Sequence, residues 1–193
     1  MNGHRFDPAR AERLNDPRRL EMLRPEAVWQ AAGVPSPRAV VDVGAGTGLV
    51  TAAFARLAPD ARFYAVDVSE DMLAFMRAHL PEDVAGRVTP VLGRGSAVPL
   101  PDEVADVVTM IGVYHEFDDT AAALSEARRL LADGGRLLVV DWKKGAHVPG
   151  FGPSEESRVA AEEIASGMRS AGFGDVEPHD LLERFSVLTG TRG

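Results

Sequence analysis

The chain has 193 residues, 45% of them hydrophobic and 26% charged, with no cysteine and a formal net charge of −8. That length fits one domain with a sizeable core, and the absence of thiols excludes disulfides, cysteine-ligated zinc and a thiol nucleophile. The acidic balance gives no global attraction to nucleic acid; no apolar run reaches the length of a membrane span and the N-terminus is no signal peptide, so a cytoplasmic protein without membrane insertion is expected. Residues 7–32 read as one or two helices, interrupted around Asn15-Asp16-Pro17 and Arg24-Pro25, with Asp16 as an N-cap ahead of a first-turn proline. After a linker from Gly33 to Pro37 come a strand over 38–43, a helix over 48–58 and a strand over 61–66. A helix over 69–80 follows, with Ser69 as N-cap and Glu70 and Asp71 in its first turn, then a strand over 87–92. Pro99 and Pro101 keep the next loop from becoming a long helix. The apolar run 105–111 fits a buried strand. A helix over 119–131 is expected to end on the C-cap signal Asp133-Gly134-Gly135, followed by a strand over 136–141, a Gly/Pro-rich loop and a helix over 154–171. Two last strands, 173–178 and 184–189, are joined by about five residues, too few for a parallel crossover, so the last one must run antiparallel to its neighbour. The alternation as a whole predicts a doubly wound, seven-stranded α/β sheet of Rossmann-like type with helices on both faces.

The most specific stretch is Val-Val-Asp-Val-Gly-Ala-Gly-Thr-Gly over residues 40–48, a strand running into Gly44, Gly46 and Gly48. Glycines there allow a tight strand-to-helix turn and let a ligand lie on bare backbone. Nineteen residues after Gly48 the second strand ends in Asp67, an acid suited to the two hydroxyls of a ribose. A dinucleotide fingerprint puts its third glycine five residues after the first, whereas here the interval is four, and no lysine follows as a phosphate loop would require. Asp42 would repel a pyrophosphate and attract a cation. S-adenosylmethionine, with its ammonium and sulfonium, therefore suits the loop better than NAD.

The pattern resembles the first motif of the class I S-adenosylmethionine-dependent methyltransferases, and the order of elements agrees with that family's sheet. Val-Pro-Leu-Pro-Asp102, Tyr-His-Glu-Phe117 and Val-Val-Asp-Trp-Lys-Lys144 resemble the small-molecule type-11 branch, near the enzymes that methylate quinone precursors. The resemblance runs from about residue 36 to the end, leaving residues 1–35 as a helical lid and 36–193 as the cofactor-binding domain. It implies S-adenosylmethionine as cofactor, S-adenosylhomocysteine as product and a small-molecule acceptor. Residues expected along the cofactor are Asp42, Gly44, Ala45, Gly46, Gly48, Asp67, Val68, Met72, Gly95, Ser96, Ala97, Met110 and Ile111. Relatives carry an acid after the third strand for the adenine amino group; here Ser96 or a backbone carbonyl must serve.

In an open α/β sheet ligands bind outside the carboxyl ends of the strands. There His115 is the candidate base, set against a plainer role of bonding its own loop. Lys143 is a candidate partner for a substrate carboxylate or phenolate, set against a solvated loop end. Nineteen of the 21 basic residues are arginine, so the lysines at 143 and 144 stand out. Phe6, Tyr114, Phe117 and Trp142 are candidate walls of the acceptor pocket, or core. Six arginines against four acids in the first 24 residues mark either an anionic substrate or a solvated helix face. The histidines show no metal spacing, and no metal is expected. A short-chain oxidoreductase would need Tyr-x-x-x-Lys, but Val68 and Asp118 stand four residues after the two tyrosines. The Asn/Asp-Pro-Pro-aromatic tetrapeptide of amino-methylating nucleic-acid enzymes is replaced by Ile111-Gly-Val-Tyr114. A non-catalytic cofactor-binding module and a protein methyltransferase remain as alternatives. The sequence leaves the oligomeric state open.

Overall fold

Seven strands form one sheet in the order β3-β2-β1-β4-β5-β7-β6. They are β1 Ala39–Val43, β2 Arg62–Asp67, β3 Val88–Leu92, β4 Ala105–Ile111, β5 Leu131–Trp142, β6 Phe173–His179 and β7 Phe185–Arg192. The computed structural model describes residues 8–94, 96–147 and 152–193. The first five strands pair in parallel, and β7 is inserted antiparallel between β5 and β6. The five residues between β6 and β7 allow only that direction, as expected. The outer strands β3 and β6 carry Pro90 and Pro178.

Helices cover both faces because alternate strand residues point to opposite sides. Val40 of β1 and Leu138, Val140 and Trp142 of β5 enter one core with helices α3 (Pro25–Ala32), α4 (Leu49–Leu57) and α5 (Glu70–His79). There Trp29 packs on Phe54 at 5.0 Å and on Phe63 at 6.2 Å. Val41, Val43, Leu137 and Val139 enter the opposite core under α7 (Thr120–Leu130) and α8 (Ala161–Ser170). Among the described residues no helix is long and apolar enough to cross a membrane.

Several elements depart from expectation. The N-terminal segment holds three helices, α1 Pro8–Leu14, α2 Arg18–Leu23 and α3, the last two separated only by Arg24 in a left-handed conformation. Pro17, not Asp16, occupies the cap position of α2, although the Asp16 carboxylate still accepts from the Arg18 N–H at 2.9 Å. A short helix α6 (Glu82–Ala85) had no sequence signal of its own. Gly134 is not a helix cap: α7 ends at Leu130 and runs straight into β5, and Gly134 turns the chain where the β4–β5 register shifts. The helix expected from residue 154 begins at Ala161, after a 3₁₀ turn over Glu155–Ser157. Arg158 interrupts it, sending its guanidinium to the carbonyls of Ala146 and Pro153. Ser69 does cap α5, accepting from the Met72 N–H at 3.2 Å.

Candidate functional site

The carboxyl ends of β1, β2 and β4, the turn after β3 and the end of α1 with α2 surround a cavity of 490 Å³, the size of a small-molecule site. The turn that forms its floor depends on positive φ angles at Gly44 (74°), Gly46 (55°) and Gly48 (79°). Their surroundings differ. A Cβ on Gly44 would lie 2.4 Å from a Val113 methyl, and one on Gly48 would lie 2.7 Å from Met76 Cγ. Those two glycines admit protein side chains. Gly46 meets only Leu14, at 3.8 Å, and leaves its backbone open to the cavity.

Asp67 closes β2 at the cavity wall. Its Oδ2 accepts from the Gly46 N–H at 2.8 Å and its Oδ1 from the Ser69 N–H at 2.9 Å. A carboxylate oxygen has two acceptor sites, so each keeps one for a ligand hydroxyl. Burial, helped by the Glu116 charge, pushes this carboxyl above the ordinary aspartate range, opposed by the backbone N–H groups of Ser69, Gly46 and, more weakly, Val68. Asp42 sits on the α4 side of β1, next to Thr109 of β4 in the parallel register. Thr51 of α4 and Thr109 donate their hydroxyls to its two oxygens, the second at 2.7 Å. Burial, reinforced by the Asp67 charge and opposed by the two hydroxyls, raises its pKa from 3.8 to about 6.

Of the residues expected along the cofactor, Asp42, Gly44, Ala45, Gly46, Asp67, Val68, Met72, Ser96 and Ile111 line the cavity. Val68 is 68% exposed, an apolar platform at its edge. Three do not line it. Gly48 lies behind the turn against Met76. Met110 points into the core under α7, one strand position out of phase with Ile111. Ala97 is tied in a bridge to Arg94. Gly95 and Phe6 lie outside the described residues.

The expected acceptor side is less well matched. Phe117 lines the cavity, but Tyr114 is buried edge-on against it at 6.3 Å. Trp142 is 3% exposed and packed on Phe185 at 4.4 Å with the rings tilted by 37°, its indole Nε1 lying toward Gly112 on the ligand side. His115 stands behind the cavity wall. Its backbone N–H donates to Asp141 Oδ2 at 2.8 Å, and its Nδ1 lies 2.8 Å from Asp141 Oδ1. Asp141 also accepts from the Trp142 N–H at 2.7 Å, so the pair braces the turn after β4 to the end of β5. Lys143 lies one residue beyond β5, outside the cavity, its ammonium half-exposed and 3.6 Å from Asp180. Neither the candidate base His115 nor the candidate anion partner Lys143 is among the residues that line the cavity.

Leu14, Arg19, Glu116, Asp118 and Asp119 also line the cavity and were not singled out in the sequence. Asp119 additionally caps α7, accepting from the Ala122 N–H at 2.9 Å. Arg19 had only the local excess of arginine as a signal. Burial lowers its pKa from the ordinary guanidinium value, opposed by the charges of Glu116 and Asp16. Among the described residues no cluster of His, Asp and Glu is arranged to hold a metal.

Residues 41–139 match the family model of the methyltransferase domain, type 11. The chain is 32% identical over 120 residues to the ubiquinone/menaquinone biosynthesis C-methyltransferase UbiE of Shewanella halifaxensis, an alignment covering 61% of this chain and 48% of that protein. It is 36% identical over 103 residues to the malonyl-acyl-carrier-protein O-methyltransferase of Methylococcus capsulatus, covering 53% of this chain and 37% of that protein. The chain thus spans about half or less of the length of these curated relatives. A crystal structure of a SAM-dependent methyltransferase from Aquifex aeolicus superposes with a TM-score of 0.87 at 26% identity, over 98% of this chain and 100% of that one.

Proposed function

Because the chain belongs to the type-11 methyltransferase domain family, we propose that it is an S-adenosylmethionine-dependent methyltransferase for a small-molecule acceptor. The observation that carries this reading is the Asp67 carboxylate, fixed at the cavity wall by two backbone donors with one acceptor site left on each oxygen. Two vicinal ribose hydroxyls satisfy those sites. Val68 and Ser96 beside it offer an apolar face and a hydroxyl to an adenine, and Asp42 supplies negative charge where a ligand's ammonium or sulfonium comes to rest. The cofactor, when bound, supplies an electrophilic methyl group on a sulfonium. The protein's contribution is alignment: rigid turns after β1 and β4 hold donor and acceptor in line, and effective molarity replaces covalent catalysis. His115 and Lys143 both stand outside the cavity wall, so positioning without a side-chain base is the mechanism proposed here.

Isothermal calorimetry with S-adenosylhomocysteine, S-adenosylmethionine and NAD tests the reading. Binding of the first two with no heat from NAD is expected. Preference for NAD, or no binding of any of the three, would overturn it.

A further inference from the structure

Among the described residues the cavity is lined by five carboxylate residues, Asp42, Asp67, Glu116, Asp118 and Asp119, and by one cation, Arg19. A cofactor with two positive groups and one negative carries a net positive charge, which the acids already attract. An anionic acceptor would be repelled from the same space unless a fixed cation received it.

Arg19 has the geometry of such a receiver. Its Nη2 lies 3.7 Å from where a Cβ on Gly112 would stand, and the Trp142 indole Nε1 lies 3.9 Å from the same point. Gly112, with φ of 67°, follows β4 directly and has no side chain to fill that space. Neither the Arg19 guanidinium nor the Trp142 indole N–H has a hydrogen-bond partner among the described residues. Two donor nitrogens thus lie within 4 Å of one point over a bare glycine at the β4–β5 side of the cavity, Arg19 in its lining and Trp142 just behind it, two strands away from Asp67 on β2. Strands are about 4.8 Å apart, so this point lies roughly 10 Å from the ribose acid, beyond the adenosine half of the cofactor. The charges of Glu116 and Asp16 reach this half-buried guanidinium, but its N–H groups lack hydrogen-bond partners among the described residues, a cost that a bound ligand removes. The excess of arginine in the N-terminal segment then has one member with a specific task.

We propose that Arg19, with the Trp142 indole N–H, forms an anion subsite over Gly112, and that the acceptor is a small molecule carrying a carboxylate. The inference rests on the methyltransferase reading, and α2 thereby acts as a lid element that selects the acceptor by charge.

The test uses the full chain. Benzoate, 3-phenylpropionate and hexanoate, each beside its primary amide, are titrated into protein saturated with S-adenosylhomocysteine. At least one acid should bind about tenfold or more tighter than its amide, the ratio expected of a charge-assisted hydrogen bond. That preference should vanish in Arg19→Gln and be partly kept in Arg19→Lys, while S-adenosylhomocysteine affinity changes less than about threefold. An acid preference that is absent in the wild type, or that survives Arg19→Gln, overturns the proposal. So does a large loss of S-adenosylhomocysteine affinity in Arg19→Gln with 5′-methylthioadenosine binding unchanged, since the guanidinium would then serve the cofactor's own carboxylate. If the wild type binds neither nucleoside, the methyltransferase reading itself fails, and this subsite falls with it.

Discussion

Replacing Asp42 by asparagine separates the carboxylate's effect on folding from its effect on ligand binding. In the fold its pKa stands at about 6 against an ordinary 3.8, chiefly because it is buried. Between those two values the folded protein holds a proton that the unfolded chain has lost. Stability therefore falls as pH rises through that window and stays at the lower level above it. At about 1.4 kcal/mol per pH unit, the ionised side chain costs the fold about 3 kcal/mol at pH 8 and roughly half of that at pH 5. Asparagine keeps the shape, and the hydroxyls of Thr51 and Thr109 can donate to its oxygen and accept from its amide. Urea unfolding at pH 8 and pH 5 should show the variant more stable than the wild type, by a margin larger at pH 8 by about 1 kcal/mol or more. S-adenosylmethionine should bind the variant more weakly, and the wild-type gain in affinity as pH rises through about 6 should disappear. A stability difference that does not grow with pH would refute the claim that Asp42 is a destabilising charge retained for its ligand.

Other outcomes follow from the same geometry. Asp67→Ala should lower S-adenosylhomocysteine affinity by roughly 1.5–3 kcal/mol by calorimetry, the value of charged hydrogen bonds, with circular dichroism unchanged; unaltered affinity would remove Asp67 from the site. Gly44→Ala introduces a Cβ at positive φ and 2.4 Å from Val113, so its urea midpoint should fall by the equivalent of about 1–3 kcal/mol, and Val113→Ala in the same chain should restore part of it. Deleting residues 1–24 removes Leu14 and Arg19 from the cavity but keeps Trp29 in the core. The truncated chain should still melt cooperatively while binding ligand more weakly; binding equal to that of the whole chain would show that the segment is no lid.

The parts of this molecule legible in its sequence are those dictated locally. The apolar run 105–111 is β4 from end to end, since a strand buried on both faces needs no alternation to be recognised. The glycine turn and Asp67 were also legible, because a positive φ and an acid at a strand end leave their mark in the residues themselves. Long-range placement was not. Whether Trp142 faces ligand or core depends on which side of β5 meets α3 and Phe185, and period-two alternation does not say which side is which. Lys143 follows the strand into a loop whose course is fixed by backbone pairing to Arg184. Arg19 reaches the cavity only because α2 packs where it does, and nothing near Arg19 in the chain marks it off from five neighbouring arginines. Gly134 reads as a helix stop in isolation, yet it serves a register shift between two strands.

The two prolines on the outer strands bear on how copies of this chain can meet. β3 and β6 end the sheet, and each carries a proline, Pro90 and Pro178, that lacks the N–H a further strand would need. Asp175 and Glu177 add charge along β6, with Asp175 at a positive φ of 46° where the pairing with β7 shifts register. Extension of the sheet from one molecule into the next is thus discouraged at both ends. Copies of this chain are thereby steered away from joining edge to edge, and the cavity lies apart from those edges, at the carboxyl ends of the inner strands.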